Sequence, residues 1–241
     1  MNIVIIAAGK GSRIYKKVKK NKQLINIKEG ILLKVLVKNA IKSGFTKIFV
    51  VVGYKSQIIK NTLREFKQVN FIYNKYYNKK EMFYSIICGL KKISGNTLIS
   101  YSDIIYKKNL LDRIIKKNSK NILLPVNLSW RNIWKIRRKN IYEDAETLKY
   151  NKKNELKEIG NKIKKKEEPK SQFMGLIYIP KKKISKVINY YKNNNYDSMQ
   201  TTDFLNIVLS NKEKIKVLPT KSFWYEFDDY EDFYNYKKKY K

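Results

Sequence analysis

The sequence predicts an α/β fold, a mainly parallel sheet flanked by helices, from three observations. Short buried-strand runs alternate with helically spaced runs over the first half. A glycine turn follows the first strand run at once, and 241 residues suit one such domain. Residues 3–8 are wholly apolar and end at Gly9 and Gly11. Residues 31–41 have the spacing of an apolar helix between Gly30 and Gly44, and 47–53 form a second buried strand. Helical spacing returns at 57–66, strand character at 69–73, a helix at 82–93, and a strand at 97–101 that ends at Ser102-Asp103. This alternation implies βαβ units.

The second half is less regular. Residues 128–170 are polar and charged, with an exposed loop expected over 162–170. Strand character returns at 173–179. Thr201 and Thr202 can cap a helix that runs through Leu209, with Asp203 in its first turn. Further strands are expected at 216–218 and 223–227, and a basic tail at 234–241. Without a repeat or a clear linker, the expectation is a single domain over 1–241, with 128–170 as an insertion across one face of the sheet.

Composition narrows the chemistry. The chain lacks histidine and has one cysteine, Cys88, which removes Ser-His-Asp and Cys-His systems, a disulfide framework within the chain, and cysteine zinc sites. Carboxylates, lysines, arginines, hydroxyls, backbone amides and a hard metal remain. The formal charge of +34 would suit a nucleic acid or an anionic membrane. However, 48 of the 54 basic residues are lysine, in a chain also rich in Asn, Ile and Tyr, which is the mixture A/T-rich coding produces. Arginine, the better bidentate base reader, is scarce. No specific nucleic acid is therefore expected. There is no run of about 18 uncharged apolar residues, so no membrane span is expected. The N-terminus lacks a signal-peptide pattern, and a cytoplasmic location is expected.

The densest motif is Ala7-Ala8-Gly9-Lys10-Gly11-Ser12-Arg13. Glycines let the main chain turn tightly and bring its amides to phosphate oxygens, and small alanines let a flat base or ribose approach. It is neither a Walker A loop nor a dinucleotide fingerprint, because the Gly-Lys-Ser/Thr ending is absent and Ile14 stands where a third glycine belongs. It sits at the carboxyl end of the first strand, where α/β sheets usually bind ligands.

From this motif onward the chain resembles the sugar-nucleotide and cytidylyltransferase superfamily. Asn21-Lys22 stands where that family usually has Pro-Lys. Asn74-Lys75-Tyr76 and Met82-Phe83-Tyr84-Ser85 are similar to its base-recognising segment, with Glu81 in place of an asparagine. Ser100-Tyr101-Ser102-Asp103 is similar to the strand end whose aspartate holds magnesium. Trp130-Arg131-Asn132-Ile133-Trp134, Glu143 to Leu148, Glu158 to Lys162, Gln172 to Leu176, Thr201 to Leu205 and Trp224 to Asp228 continue the series. They resemble cytidylyltransferases for phosphocholine and 2-aminoethylphosphonate, and a relative that activates a phosphorylated glutamine.

The resemblance implies a Rossmann-like, mixed and mostly parallel sheet of nucleotide-diphospho-sugar transferase type, with an inserted acceptor-binding segment. It implies Mg2+-dependent transfer of CMP from CTP to a small phosphonate or phosphomonoester such as 2-aminoethylphosphonate or phosphocholine, with pyrophosphate released. Transfer to a sugar 1-phosphate is the alternative. Asp103 and Asp228 are the implied metal ligands, and Arg13, Lys22 and Lys162 the implied catalytic cations. Ala7, Ala8, Gly9, Gly11, Ser12, Tyr84 and Ser85 would bind nucleotide. Trp130, Trp134, Glu143, Asp144 and Glu146 would bind the acceptor, because carboxylates beside aromatic faces suit an ammonium group; the same tryptophans could instead be packing residues. A homodimer is compatible with the family.

Overall fold

The computed structural model describes residues 1–79, 81–138, 140–163, 168–194 and 199–240. In chain order the elements are β1 (Asn2–Ala7), α1 (Ser12–Val18), a 3-10 turn (Lys22–Leu24), β2 (Asn26–Ile27), β3 (Gly30–Ile31), α2 (Leu32–Lys42), β4 (Lys47–Val52) and α3 (Ser56–Thr62). There follow β5 (Val69–Tyr73), α4 (Met82–Leu90), β6 (Thr97–Tyr101), β7 (Ile104–Tyr106), α5 (Lys108–Lys117), β8 (Ile122–Asn127) and α6 (Trp130–Arg137). The chain continues through β9 (Glu146–Tyr150), β10 (Leu156–Lys162), β11 (Gln172–Phe173), β12 (Leu176–Ile179), α7 (Lys181–Asn194), α8 (Thr201–Ser210), β13 (Ile215–Thr220), β14 (Trp224–Glu226) and α9 (Tyr230–Lys239).

The main sheet runs β8-β12-β6-β1-β4-β5, with β13 and β11 also paired to β8. β1 is central and parallel to β4 and β6, as βαβ crossovers require, while β12 enters antiparallel to β6. The sheet is thus mixed and mostly parallel. All six residues of β1 are buried, which explains its unbroken apolar run. Ile3, Ile5 and Ala7 join one core, against α2 and α5; Val4, Ile6 and Ala8 join the other, against α4 and α8.

Several expectations change here. The strand expected at 173–179 is interrupted at Met174-Gly175 and splits into β11 and β12. Gln172 lies opposite Asn127, and Tyr178 opposite Leu123, so both pieces follow β8. The N-cap of α8 is Gln200, not a threonine, in a capping box with Asp203. The end of the chain is not a tail: α9 is capped by Asp229 and Asp232 and buries Tyr236 against Tyr225 and Phe227. Residues 128–170 are not simply polar cover. Trp130, Ile133 and Trp134 join one core, and Leu148, Leu156 and Ile159 the other. Most of their charged residues face out, Arg137 being buried, while the apolar ones face in, so average polarity concealed a helix and a hairpin. Of the loop expected over 162–170, residues 164–167 lie outside the described residues, as does Lys241 of the expected tail.

Candidate active site

The site forms where β1, β6 and β14 end. After β1 the chain turns at Gly9 and Gly11. Gly11 has φ +60, and a Cβ there would lie 2.8 Å from Lys22 Cγ, so both backbone conformation and close approach call for glycine. Gln23, fully buried, donates through Nε2 to Ala7 O at 3.2 Å and ties the 3-10 turn to the strand end. A cavity of about 240 Å³ opens here, lined by Ala8, Gly9, Gly11, Lys22, Ser85 and Asp103 among others. On its α4 side, Asn74 Nδ2 donates to Ser85 Oγ at 2.9 Å, both residues buried.

Asp103 and Asp228 are brought together by strand pairing. β14 runs antiparallel to β7 with Glu226 opposite Ile104, and Phe227 N donates to Asp103 O at 2.8 Å. Residues 125 apart in sequence thus flank one hydrogen bond. Each carboxylate already meets a cation: Lys22 Nζ contacts Asp103, and Arg13 Nη1 contacts Asp228. Burial works against the Lys22 charge, yet Asp103, Asp228 and Glu226 together raise its pKa above the ordinary lysine value. Lys22 is a fixed cation.

A second cavity, about 200 Å³, shares Met82 with the first and is lined by Asp144, Glu146, Glu226, Trp134, Tyr101 and Phe173, with others. Desolvation raises the pKa of both Asp144 and Glu146. Glu226 is pushed up to about 7 by desolvation and the nearby Asp103 and Asp228, against the pull of Arg137. A pocket that crowds carboxylates in this way favours a cationic occupant.

Of the residues expected in the site, the structure brings Ala8, Gly9, Gly11, Ser85, Lys22 and Asp103 to the first cavity, and Trp134, Asp144 and Glu146 to the second. Asp228 and Arg13 pair beside the first cavity; Ser12 is exposed at the start of α1, and Ala7 is buried behind the turn. Tyr84 packs on Tyr76 and Tyr191 and does not line the cavity. Lys162 lies exposed across the hairpin from Glu146, outside both cavities, and Glu143 is exposed.

Trp130 is a correction: it is fully buried, donates Nε1 to Pro169 O at 3.0 Å, and offers no surface to a ligand. The Trp134 ring is already stacked on Trp224 with centroids 5.7 Å apart and has the Arg137 guanidinium 4.7 Å above it. Sequence reasoning missed Gln23, Glu226 and Arg137. Glu226 stood two residues before Asp228 in a quoted motif, and arginine's rarity was the available signal for Arg137.

Residues 3–165 match the family model described as MobA-like NTP transferase domain. The chain is 29% identical over 244 residues to the CTP:phosphoglutamine cytidylyltransferase of Campylobacter jejuni, covering 95% of this chain and 96% of the relative. Its fold is similar to that of the inositol-1-phosphate CTP transferase from T. maritima, with TM-score 0.77 and 18% identity over 99% of this chain and 95% of the other. It is also similar to CTP:phosphocholine cytidylyltransferase from Streptococcus pneumoniae, with TM-score 0.74 and 16% identity over 100% and 99% of the two chains. With a family match across most of the chain and a glycine turn, paired aspartates and a two-part crevice at the strand ends, this protein belongs to the MobA-like NTP transferase domain family and is a nucleotidyltransferase.

Proposed function

We propose that the protein transfers CMP from CTP to a small phosphomonoester or phosphonate that carries a positively charged group, releasing pyrophosphate. The observation that carries this reading is a pair of cavities that share Met82, one lined by the glycine turn, Lys22 and Asp103 and the other by three carboxylates, with the Arg13–Asp228 pair beside the first. The choice of CTP is supported by the activity named for the Campylobacter jejuni relative.

An anionic oxygen of the acceptor attacks the α-phosphorus, the bond from that phosphorus to the bridging oxygen breaks, and pyrophosphate leaves with its electron pair. The nucleophile is already ionised near neutral pH, so a strong general base is not needed, and the absence of histidine is compatible with the reaction. Gly9 and Gly11 let main-chain amides approach the triphosphate, and Lys22 and Arg13 offset its charge. Asp144, Glu146 and Glu226 hold the cationic end of the acceptor and orient its phosphate or phosphonate.

Asp103 and Asp228 fit Mg2+: both offer hard oxygen donors, and both attract a cation in this structure. No group of three or more His, Cys, Asp or Glu is gathered for a metal among the described residues, so phosphate oxygens and water would complete the shell. The ion supplies charge neutralisation at the α-phosphate and leaving group. No helix among the described residues is long and apolar enough to cross a membrane.

Pyrophosphate release across CTP, UTP, ATP, GTP and dTTP, each with 2-aminoethylphosphonate, phosphocholine, a phosphorylated glutamine and a sugar 1-phosphate, tests this reading. CTP with a nitrogen-bearing acceptor should give the highest rate. A preference for the sugar 1-phosphate, or release with no acceptor in the panel, would overturn it.

A further inference from the structure

We infer that Arg137 is a positioning residue for nucleotidyl transfer: one buried guanidinium holds Asp144 and Glu226 against the crevice and, through Asp232, the main chain that presents Asp228. This rests on the reading of the crevice proposed above. Arg137 closes α6, and its side chain is wholly inaccessible. Its Nε donates to Asp232 Oδ1 at 3.0 Å and its Nη2 to Asp232 Oδ2 at 3.2 Å, a bidentate clamp. Nη1 donates to Glu226 Oε2 at 3.1 Å, and Nη2 also reaches Asp144 Oδ2 at 3.4 Å.

Asp232 is itself fully buried and accepts the Asp228 N–H at 2.8 Å and the Asp229 N–H at 3.2 Å. One planar fork thus spans three acids, two of which line the acceptor end of the crevice, while the third fixes the backbone of Asp228. A lysine ammonium has neither the reach nor the fork geometry for this. That is a physical reason for arginine here, in a chain that otherwise uses lysine 48 times.

A brace between α6 and α9 would not need all of these contacts. Arg138 also pairs with Asp232, at 2.7 Å through Nη1, and with Asp229 at 3.2 Å, so the two helices are tied without Arg137. What Arg137 adds is its hold on Glu226 and Asp144. Around the two guanidiniums stand four carboxylates, Asp144, Glu226, Asp229 and Asp232. The surplus negative charge lies outward: Asp232 is inaccessible, whereas the side chains of Glu226 and Asp144 are 27% and 42% exposed. Arg137 therefore sets where those two partly exposed carboxylates point.

The test is Arg137→Lys, with Arg137→Gln as a second variant that is uncharged, keeps a hydrogen-bond donor and serves if the first does not fold. In pyrophosphate-release kinetics the acceptor KM should rise by about tenfold or more while the CTP KM stays within about twofold. Combining Arg137→Lys with Glu226→Gln should cost less than the product of the single losses, because one acts through the other. A lowered melting temperature with both KM values unchanged would mean a brace only and would overturn the inference, as would fully multiplicative losses. If the wild-type protein transfers no nucleotide, the functional reading falls, and crystal structures of wild type and variant still decide the positioning role. Displacement of the Glu226 and Asp144 carboxylates by about 1 Å or more supports it, and unmoved carboxylates overturn it.

Discussion

At the glycine-turn end of the crevice the wall is main chain and fixed cations: Gly9, Gly11 and Lys22, with Arg13 beside them. At the opposite end it is side-chain carboxylate, Asp144, Glu146 and Glu226, of which Asp144 and Glu226 bond a buried guanidinium. The first end comes from local chain geometry, because a parallel strand feeding a tight turn presents amides with little help from elsewhere. The second comes from distant segments, with β9, β14, α6 and α9 each supplying a part. The difference teaches that the turn and cations of the first cavity come largely from one stretch, 8–23, completed by Ser85 and Asp103, whereas the carboxylates of the second need the packed tertiary structure. Asp103 and Asp228 sit at the seam, where β7 and β14 pair.

The largest expected effect falls on that seam. Asp103→Ala and Asp228→Ala should each cut Mg2+-dependent turnover by about a hundredfold or more without unfolding the protein, as read by pyrophosphate release and circular dichroism. Near-normal turnover in either would take that residue out of the metal site. Next, Lys22→Met should lower kcat by about a hundredfold, because its ammonium meets charge that builds on the leaving group, with little change in acceptor KM. A main effect on the acceptor would erase the division between the two ends.

Asp144→Asn and Glu146→Gln should raise acceptor KM by about tenfold with CTP KM little changed, while Glu143→Gln, exposed and outside both cavities, should change neither. Equal effects on both substrates would show that the carboxylate end is not the acceptor end. Gly53→Ala places a Cβ 2.4 Å from Tyr77 Cβ and 2.9 Å from Ala8 O, so it should destabilise by about 1–3 kcal/mol and raise the CTP KM, measured by thermal melting and kinetics.

The smallest effect belongs to a control outside the crevice. Hydrogen bonds from Lys183 and then Lys186 hold the Glu213 carboxyl below its ordinary value. A lowered folded-state pKa contributes stability above the unfolded value, about 4.3, and that contribution is lost as pH falls through the folded one. Glu213→Gln should therefore lower the melting temperature slightly at pH 7, lose that effect progressively as pH falls from the unfolded value through the lower folded one, and leave both KM values alone.

Legibility followed the same division. β1 was readable because a strand buried along its whole length is a nearly unbroken apolar run, and the glycine turn because a positive φ together with the close approach of the Lys22 side chain favours glycine at Gly11. Residues 128–170 were misjudged because averaged polarity hides an amphipathic helix and hairpin. Trp130 was misassigned because an indole in a sequence carries no sign of which side meets solvent. Arg137 was one of six arginines among 54 basic residues, and its buried contacts with Asp232, Glu226 and Asp144 single it out from the other five.

The amino-acid sequence by itself determined the class of fold, the glycine turn after the first strand, the exclusion of histidine and cysteine-zinc chemistry, and the acidic residues available to act. These depend on local periodicity and on which functional groups exist. The three-dimensional packing decided which acids share a pocket, that Asp103 bonds through its carbonyl to Phe227, the neighbour of Asp228, and that Trp130 is core. The physical reason is that convergence of distant side chains depends on strand pairing and burial, and neither is a property of any one segment.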